Sequence, residues 1–421
     1  MSRRVSVKYL AAVILLAHWG LTAVNAAASP PSDAAMLRRV ADHVVQATTR
    51  RLIDHTTGMT YSDSTGLAPK AELSIESKFN AWFYQTWLLA DGMRRTAVAL
   101  KESRYDQYGE QNLAFIYQHL DYFQRQRDAQ MSAAPIGDGK LSPIAFHFQI
   151  NALWQTGLAP LVLEQYAATK DPRYEPFLNR VRAFLHENPH FDDGVFYRKG
   201  KGMMTDDPYM TVPFLVREWR FGSDTTVLDQ AIAQVMGTHA RLFDPSIGLL
   251  KHLWDLKTQA PAGECWGRGN GWTVMAHVEL LAALPRDHPR RAEVLTQFVR
   301  HMDGMRRCQD PAGGWHQVLN VPTSWLETSA TGMITYGIAR GVNEGWLDRS
   351  FAADARKGWA ALQTKVLPDG DLTDVCGSTD TGDLNFYLKR PRLQGDLHGF
   401  GSYLLAGAEI IRLGQATTST P

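Results

Sequence analysis

Three cysteines in 421 residues are too few for a disulfide-built scaffold. Cys265, Cys308 and Cys376 also lack the paired spacing of a zinc site, so they read as small buried residues. Charge of one sign is missing too. The formal net charge is +1, which argues against a nucleic-acid partner or a broad electrostatic membrane contact. Beyond the first 30 residues, no apolar run reaches the roughly 18 residues that would span a bilayer. There is no H-E-x-x-H, no G-x-S-x-G, and no glycine loop closing on Lys-Ser/Thr. Zinc-protease, α/β-hydrolase and P-loop chemistry are thereby excluded.

What is present begins at the N-terminus. "MSRRVSVK" is basic, "YLAAVILLAHWGLTAV" is apolar, and "VNAAAS" offers small residues for cleavage after Ala26 or Ala27. Residues 1–27 read as a secretory signal peptide. A membrane anchor is the rival reading, but the apolar run is short and is broken by His18 and Gly20. Residues 28–421 are then one exported domain, periplasmic or secreted, without stable membrane insertion. Hydrophobic residues make up 44% of the chain, enough for a large core. Twelve Trp and 14 Tyr exceed what a core requires; flat aromatic faces suit sugar rings as well as core packing.

Periodicity predicts helices near 34–53, 79–100, 104–126, 146–169, 173–187, 208–221, 225–241, 269–284, 290–308, 325–344, 350–366 and 397–413. In "RRAEVLTQFVRHMDGMRR", Val294, Leu295, Phe298, Val299, Met302 and Met305 form one stripe, the mark of an outer helix. "SATGMITYGIARG" is apolar or small nearly all round, the mark of an enclosed one. From the fourth helix on, enclosed and amphipathic segments alternate. Short polar joins lead out of each enclosed helix; the returns, 188–207, 242–268, 309–324 and 367–396, are long, as functional loops are. Six inner–outer pairs predict an all-α fold, a closed (α/α)6 barrel, with the long loops at the N-terminal ends of the inner helices. A helical solenoid is the rival, but the loops are too unequal for a repeat.

Three places before inner helices stand out. In "GMMTDDPYMTVPFL" (202–215), Thr205, Asp206 or Asp207 can cap the helix, yet two adjacent carboxylates exceed what a cap needs. A general acid there needs a raised pKa against the helix dipole, from burial or a nearby negative charge. "GLLKHLWDL" (248–256) reads as a short strand or turn carrying His252, which is either structural or functional. "CWGRGNGW" (265–272) sets Arg268 among glycines between Trp266 and Trp272. Such an arginine can fork onto a carboxylate, and indoles can stack on sugars; a glycine turn with core tryptophans is the alternative. Elsewhere, "LPDGDLTD" (367–374) reads as a turn rather than a calcium loop. "DPAGGWHQVL" (310–319) reads as a hairpin exposing Trp315 and His316, and "SWLETSATGM" (324–333) as a capping box of Ser324 and Glu327. Asp396 and His398 fall at the start of the last helix.

In that order, "DDPYM..PFL", "GL..H.WD", "CWGRGNGW", "ETSATGMITYGIARG" and "DLHGFGSYLLAGAE" resemble the unsaturated rhamnogalacturonyl hydrolases of glycoside hydrolase family 105, kin to unsaturated glucuronyl hydrolases. The resemblance spans roughly 35–413 and implies an (α/α)6 barrel. It implies an exported enzyme that removes a 4,5-unsaturated uronic acid, here galacturonyl, from the non-reducing end of oligosaccharides made by pectin-cleaving lyases. An aspartic acid protonates C4 of the vinyl ether, water adds at C5, and the hemiketal opens. The family's catalytic Asp stands four residues before the methionine of D-x-x-[YF]-M, which maps onto Asp206 and Met210, with Asp207 the second choice. Asp207, Met210, His252, Trp266, Arg268 and Trp272 are the candidate substrate-binding residues. One departure is evident. The family often has another aspartate before an earlier inner helix, where this chain offers Gln149 and Asn151.

The resemblance implies no metal and no organic cofactor; the partner is a small acidic oligosaccharide, and the chain is read as a monomer. Two other readings remain open. An inverting glycosidase, or a sugar epimerase on the same barrel, would use a second carboxylate such as Glu327, Asp374 or Asp396. A non-catalytic glycan-binding protein would need the aromatics and Arg268 but not Asp206.

Overall fold

The computed structural model describes residues 31–132, 136 and 143–418. The expected signal peptide lies outside the described residues. Six helices form an inner ring: α2 (Tyr84–Leu100), α5 (Ala159–Thr169) extended by a 3-10 turn (Leu153–Leu158), α7 (Asp207–Gly222), α9 (Gly267–Ala283), α11 (Thr328–Asn343) and α14 (Leu397–Thr418). Each packs on the next, and α14 returns to α2, so the ring closes. Outside it lie α1 (Asp33–Ala47), α3 (Tyr108–Gln118) running into α4 (Leu120–Gln130), α6 (Glu175–Glu187), α8 (Thr225–Leu242), α10 (Arg291–Arg307) and α12 (Ala352–Gln363). The short α13 (Leu384–Leu388) sits in the last long loop. This is the expected all-α (α/α)6 barrel; among the described residues no strand exceeds three residues.

The burial follows the sequence pattern. On α10, Val294, Phe298, Met302 and Met305 are buried on one face, while on α11 every residue from Thr328 to Ala339 is buried. The short joins carry the stop-and-start chemistry. Lys170 and Ser223 end α5 and α7 in the left-handed region, and the next aspartate in each join, Asp171 or Asp224, accepts a backbone N–H to start the following turn.

Four expectations are corrected. Residues 48–53 are not helical. Leu52–Asp54 forms the centre of a three-stranded sheet with Thr60–Tyr61 and Leu73–Ile75, as its β-branched and apolar residues allow. The helix expected over 104–126 breaks at His119, whose buried ring bonds Ser64. Ser324 does not cap α11. Glu327 is itself the N-cap, accepting from Ser329 and Ala330 N–H. Trp315 and His316 are not exposed: Trp315 is buried and donates Nε1–H to the Met305 carbonyl, and His316 is held by Asp310 and Ser324.

At the C-terminal ends of the inner helices, Asp91, Arg94, Arg95, Arg340, Glu344, Glu409 and Arg412 line a 670 Å³ cavity and pair with one another. The chemistry-bearing motifs lie at the other end of the barrel.

Candidate active site

The first turns of the inner helices bring together Tyr84, Asp206, Arg268, Ser329 and His398 from segments far apart in sequence. A small sheet sets the centre. Gly202–Met204 pairs antiparallel with Leu253–Asp255, which pairs with Ala260–Ala262. Where that ladder ends, the Thr205 N–H donates to the His252 carbonyl, so Asp206 and His252 become neighbours. Thr273 Oγ1, in the second turn of α9, donates to the Thr205 carbonyl. The approach is close: a Cβ on Gly269 would lie 2.4 Å from Thr205 Oγ1. Asn270 fixes the adjoining strand. It accepts the Leu250 N–H and donates to the Leu250 and Trp266 carbonyls.

Asp206 occupies the N-cap position of α7, but its side chain makes no capping bond. Asp207 instead turns back and accepts the Met204 N–H. Both carboxylates meet Arg198: Nη2 lies 2.8 Å from Asp206 Oδ2 and 2.7 Å from Asp207 Oδ1. Asp207 is 3% exposed, whereas the Asp206 side chain keeps 18%. Two acids sharing one guanidinium titrate as a unit. Burial raises the Asp207 pKa to about 6, with the Asp206 charge adding to it and Arg198 opposing. Burial also acts to raise Asp206, but Arg198 and His252 outweigh it and hold that carboxyl below its ordinary value.

His252 is fully buried, and burial pushes its pKa down to about 4 despite the opposing charge of Asp206. Its Nδ1 is 2.7 Å from the Tyr387 hydroxyl. Its Nε2 is 4.0 Å from Asp206 Oδ1, and neither of those two atoms has a hydrogen-bond partner. Trp266 lies on His252 at 4.6 Å and under the Arg268 guanidinium at 4.9 Å. Arg268 is buried; Nη1 donates to the Cys376 carbonyl and Ser329 Oγ, and Nη2 to the Gly377 carbonyl. Trp272 stacks on Tyr209 at 4.9 Å and meets Tyr84 and His398 edge-on. Met210 is buried beneath the first turn, its carbonyl accepting Thr156 Oγ1.

Opposite, Asp396 Oδ1 is 2.6 Å from His398 Nδ1, and His398 Nε2 is 2.8 Å from the Tyr84 hydroxyl. Burial would raise the Asp396 pKa, but His398 and Arg268 keep it low. Half-buried Phe83, Phe146 and Trp154 cluster beside Tyr84, with ring centroids 5.0–6.4 Å apart. Gln149 and Asn151 are exposed. Glu327 is fully buried and accepts from Ser329, Ala330 and Cys376 N–H; Asp374 is tied to Lys365 and Arg392. All three cysteines are free thiols.

Arg198, Tyr387 and Tyr84 escaped the motif reading. Arg198 is one cation in the run "YRKGKG", and Tyr387 lies 135 residues from its partner His252. No local pattern marks either.

Comparison with known proteins bears on the family and the fold. The chain is 30% identical over 197 residues to the unsaturated 3S-rhamnoglycuronyl hydrolase of Alteromonas sp. (strain LOR), covering 45% of this chain and 46% of that one. It is 28% identical over 204 residues to the unsaturated rhamnogalacturonyl hydrolase YesR of Bacillus subtilis (strain 168), covering 46% and 58%. The chain thus spans about half the length of these curated relatives. The crystal structure of a possible member of the GH105 family from Klebsiella pneumoniae subsp. pneumoniae MGH 78578 superposes with a TM-score of 0.71 at 20% identity, over 96% of this chain and 99% of that one. The family 105 resemblance read from the motifs and the barrel read from the periodicity both hold. The sequence model of Glycosyl Hydrolase Family 88 matches residues 68–414, and the chain belongs to that family.

Proposed function

We propose that this protein is a glycoside hydrolase that removes a 4,5-unsaturated uronic acid from the non-reducing end of short acidic oligosaccharides. We take the galacturonyl end of rhamnogalacturonan-derived products as its substrate. Asp206 donates its proton to C4, leaving positive charge shared by C5 and the ring oxygen. Water then adds at C5 while the Asp206 carboxylate takes up a proton from it. The C5 hemiketal opens to a ketone, and C1 releases the leaving sugar. Asp206 ends protonated, as it began.

The observation that carries this reading is the Asp206 side chain, uncapped and partly open at the head of α7, with Oδ1 facing His252 Nε2. Asp207 is the weaker candidate because both its oxygens are engaged. Arg198 depresses Asp206 in the free protein, so substrate has to supply the opposing charge. A uronate carboxylate entering beside Asp206 does so and raises its pKa toward that of an acid. Arg268 adds positive potential behind the site. The aromatic shelf of Phe83, Phe146 and Trp154 is the surface for the leaving sugar. The relatives' names favour rhamnose as that sugar, with or without sulfate. We further propose that the chain is exported and acts as a monomer.

The test uses unsaturated galacturonyl-rhamnose and ultraviolet absorbance of the conjugated double bond. Absorbance should fall with the wild-type protein and stay constant with Asp206→Asn. Release of sugar at unchanged absorbance would reject hydration in favour of direct attack at the anomeric carbon. Parallel assays on unsaturated glucuronyl-rhamnose and its 3-sulfated form rank the ends and leaving sugars.

A further inference from the structure

The contact between Tyr387 and His252 has a consequence for the site's protons. A neutral imidazole carries one N–H, and the partner of one ring nitrogen decides which. At 2.7 Å, Tyr387 Oη and His252 Nδ1 share one proton, so one of them is the donor. Tyr387 Oη makes no other hydrogen bond among the described residues, so its O–H has His252 Nδ1 as its one acceptor. The ring proton then belongs on Nε2, the buried atom facing Asp206 Oδ1.

We propose that Tyr387 is a positioning residue that fixes His252 in the Nε2–H tautomer, so that a neutral ring presents an N–H donor toward Asp206 Oδ1 and toward whatever oxygen comes to lie beside it. The part this plays in turnover rests on the hydration reading above: the N–H orients the attacking water, and the neutral ring does not take the proton that Asp206 must deliver.

The surroundings are built for this contact. A Cβ on Gly263 would lie 2.8 Å from Tyr387 Oη, and its φ of +72° is one that glycine adopts freely. Asp383 caps α13 by accepting the Phe386 N–H, which fixes the turn carrying Tyr387. Tyr387 is fully buried against Trp266 and Val318. The base of its loop is held by Arg268 through the Cys376 and Gly377 carbonyls, and its tip by the pairing of Lys201 with Asp380. The charged groups facing His252 are Asp206, Arg198, Lys201 and Asp380. None makes a hydrogen bond to Nδ1, so Tyr387 holds that nitrogen.

The experiment is nitrogen-15 NMR of histidine-labelled protein without substrate at neutral pH, with His252→Gln to assign the resonances. The expected spectrum has Nδ1 unprotonated and Nε2 protonated. In Tyr387→Phe that preference should weaken, with kcat reduced about tenfold or more and KM little changed. A protonated Nδ1 in the wild type overturns the proposal, and so does a Tyr387→Phe protein that keeps both tautomer and kcat. Should Tyr387→Phe fail to fold, the wild-type spectrum still decides. Because the tautomer is read without substrate, a protein with protonated Nε2 that leaves the double bond intact rejects the hydration reading and not the tautomer.

Discussion

His252 Nε2 lies 4.0 Å from Asp206 Oδ1, and the two atoms converge without a hydrogen-bond partner on either. Leaving buried polar atoms unpaired costs about 1–3 kcal/mol each, so folds avoid it except where function gains. The second polar atom of each side chain is satisfied, Asp206 Oδ2 by Arg198 and His252 Nδ1 by Tyr387, while Thr205 Oγ1 and Trp266 Nε1 beside them are also unpaired.

Arg198 should control the pH dependence of stability at the acid pair. In Arg198→Met both carboxyls lose their counter-charge: the folded pKa of Asp207 rises further above its unfolded value, and that of Asp206 rises from below it. Groups with raised folded pKa values give stability that is present at low pH and lost as pH rises. The variant should therefore lose more melting temperature relative to wild type at pH 7 than at pH 5. An equal loss at both values would show that Arg198 acts by packing alone.

Buried histidines set the opposite trend for the whole chain. His239, His277 and His301 pack ring against ring at 4.6 and 5.3 Å. Burial pushes His239 and His301 well below their ordinary value and His277 down to about 4. The unfolded chain binds protons near 6.5 where the folded one does not, so stability falls as pH drops from about 6.5 toward 4. Each such histidine contributes a loss of about 1 kcal/mol over the first unit. Urea midpoints at pH 6.5 and 5.5 measure it, and His239→Phe should shrink the difference.

Glu327 is expected to be architectural. Three buried backbone N–H groups converge on its carboxylate. Glu327→Gln places a donor among donors and should cost about 1–3 kcal/mol. The folded fraction should keep kcat within a few-fold. A collapse of kcat at unchanged melting temperature would instead favour an inverting mechanism with Glu327 as the second carboxylate.

Asn270 joins the glycine octet to the Leu249–Leu250 strand, two residues before His252. Asn270→Ala leaves Leu250 N–H and C=O and the Trp266 carbonyl without that partner, at a cost of about 3 kcal/mol or more. Melting temperature and kcat should fall together. A variant as stable as wild type would show that the strand is held by its ladder alone.

Much of this could be read in one dimension. The apolar period of 3.6 residues located the helices of both rings, because burial against one neighbour or all neighbours leaves a stripe or a continuous apolar run. Long loops before inner helices located the site. The errors have local causes. Residues 48–53 carry alternation too short to separate strand from helix, and His119 breaks a helix through a tertiary bond to Ser64. Trp315 looked like a loop residue because its cover comes from other helices, the end of α10 at Met305, Thr331 on α11 and Gly358 on α12.

The sequence by itself determined most of the helical segments, the inner or outer character of those from the fourth on, and the octet's place at the head of an inner helix. It also placed two adjacent acids at the head of another. The fate of each acid was decided by tertiary structure: Asp207 folds back onto Met204 N–H, while Asp206 is left open beside Arg198 and His252. So was the arginine of the octet, which reaches the carbonyls of Cys376 and Gly377 more than 100 residues away. Helix period and capping depend on neighbours within a few residues, so they are written in the chain. Which atoms of a carboxylate or guanidinium remain unbonded depends on loops brought together by closure of the ring, and only the folded chain sets that.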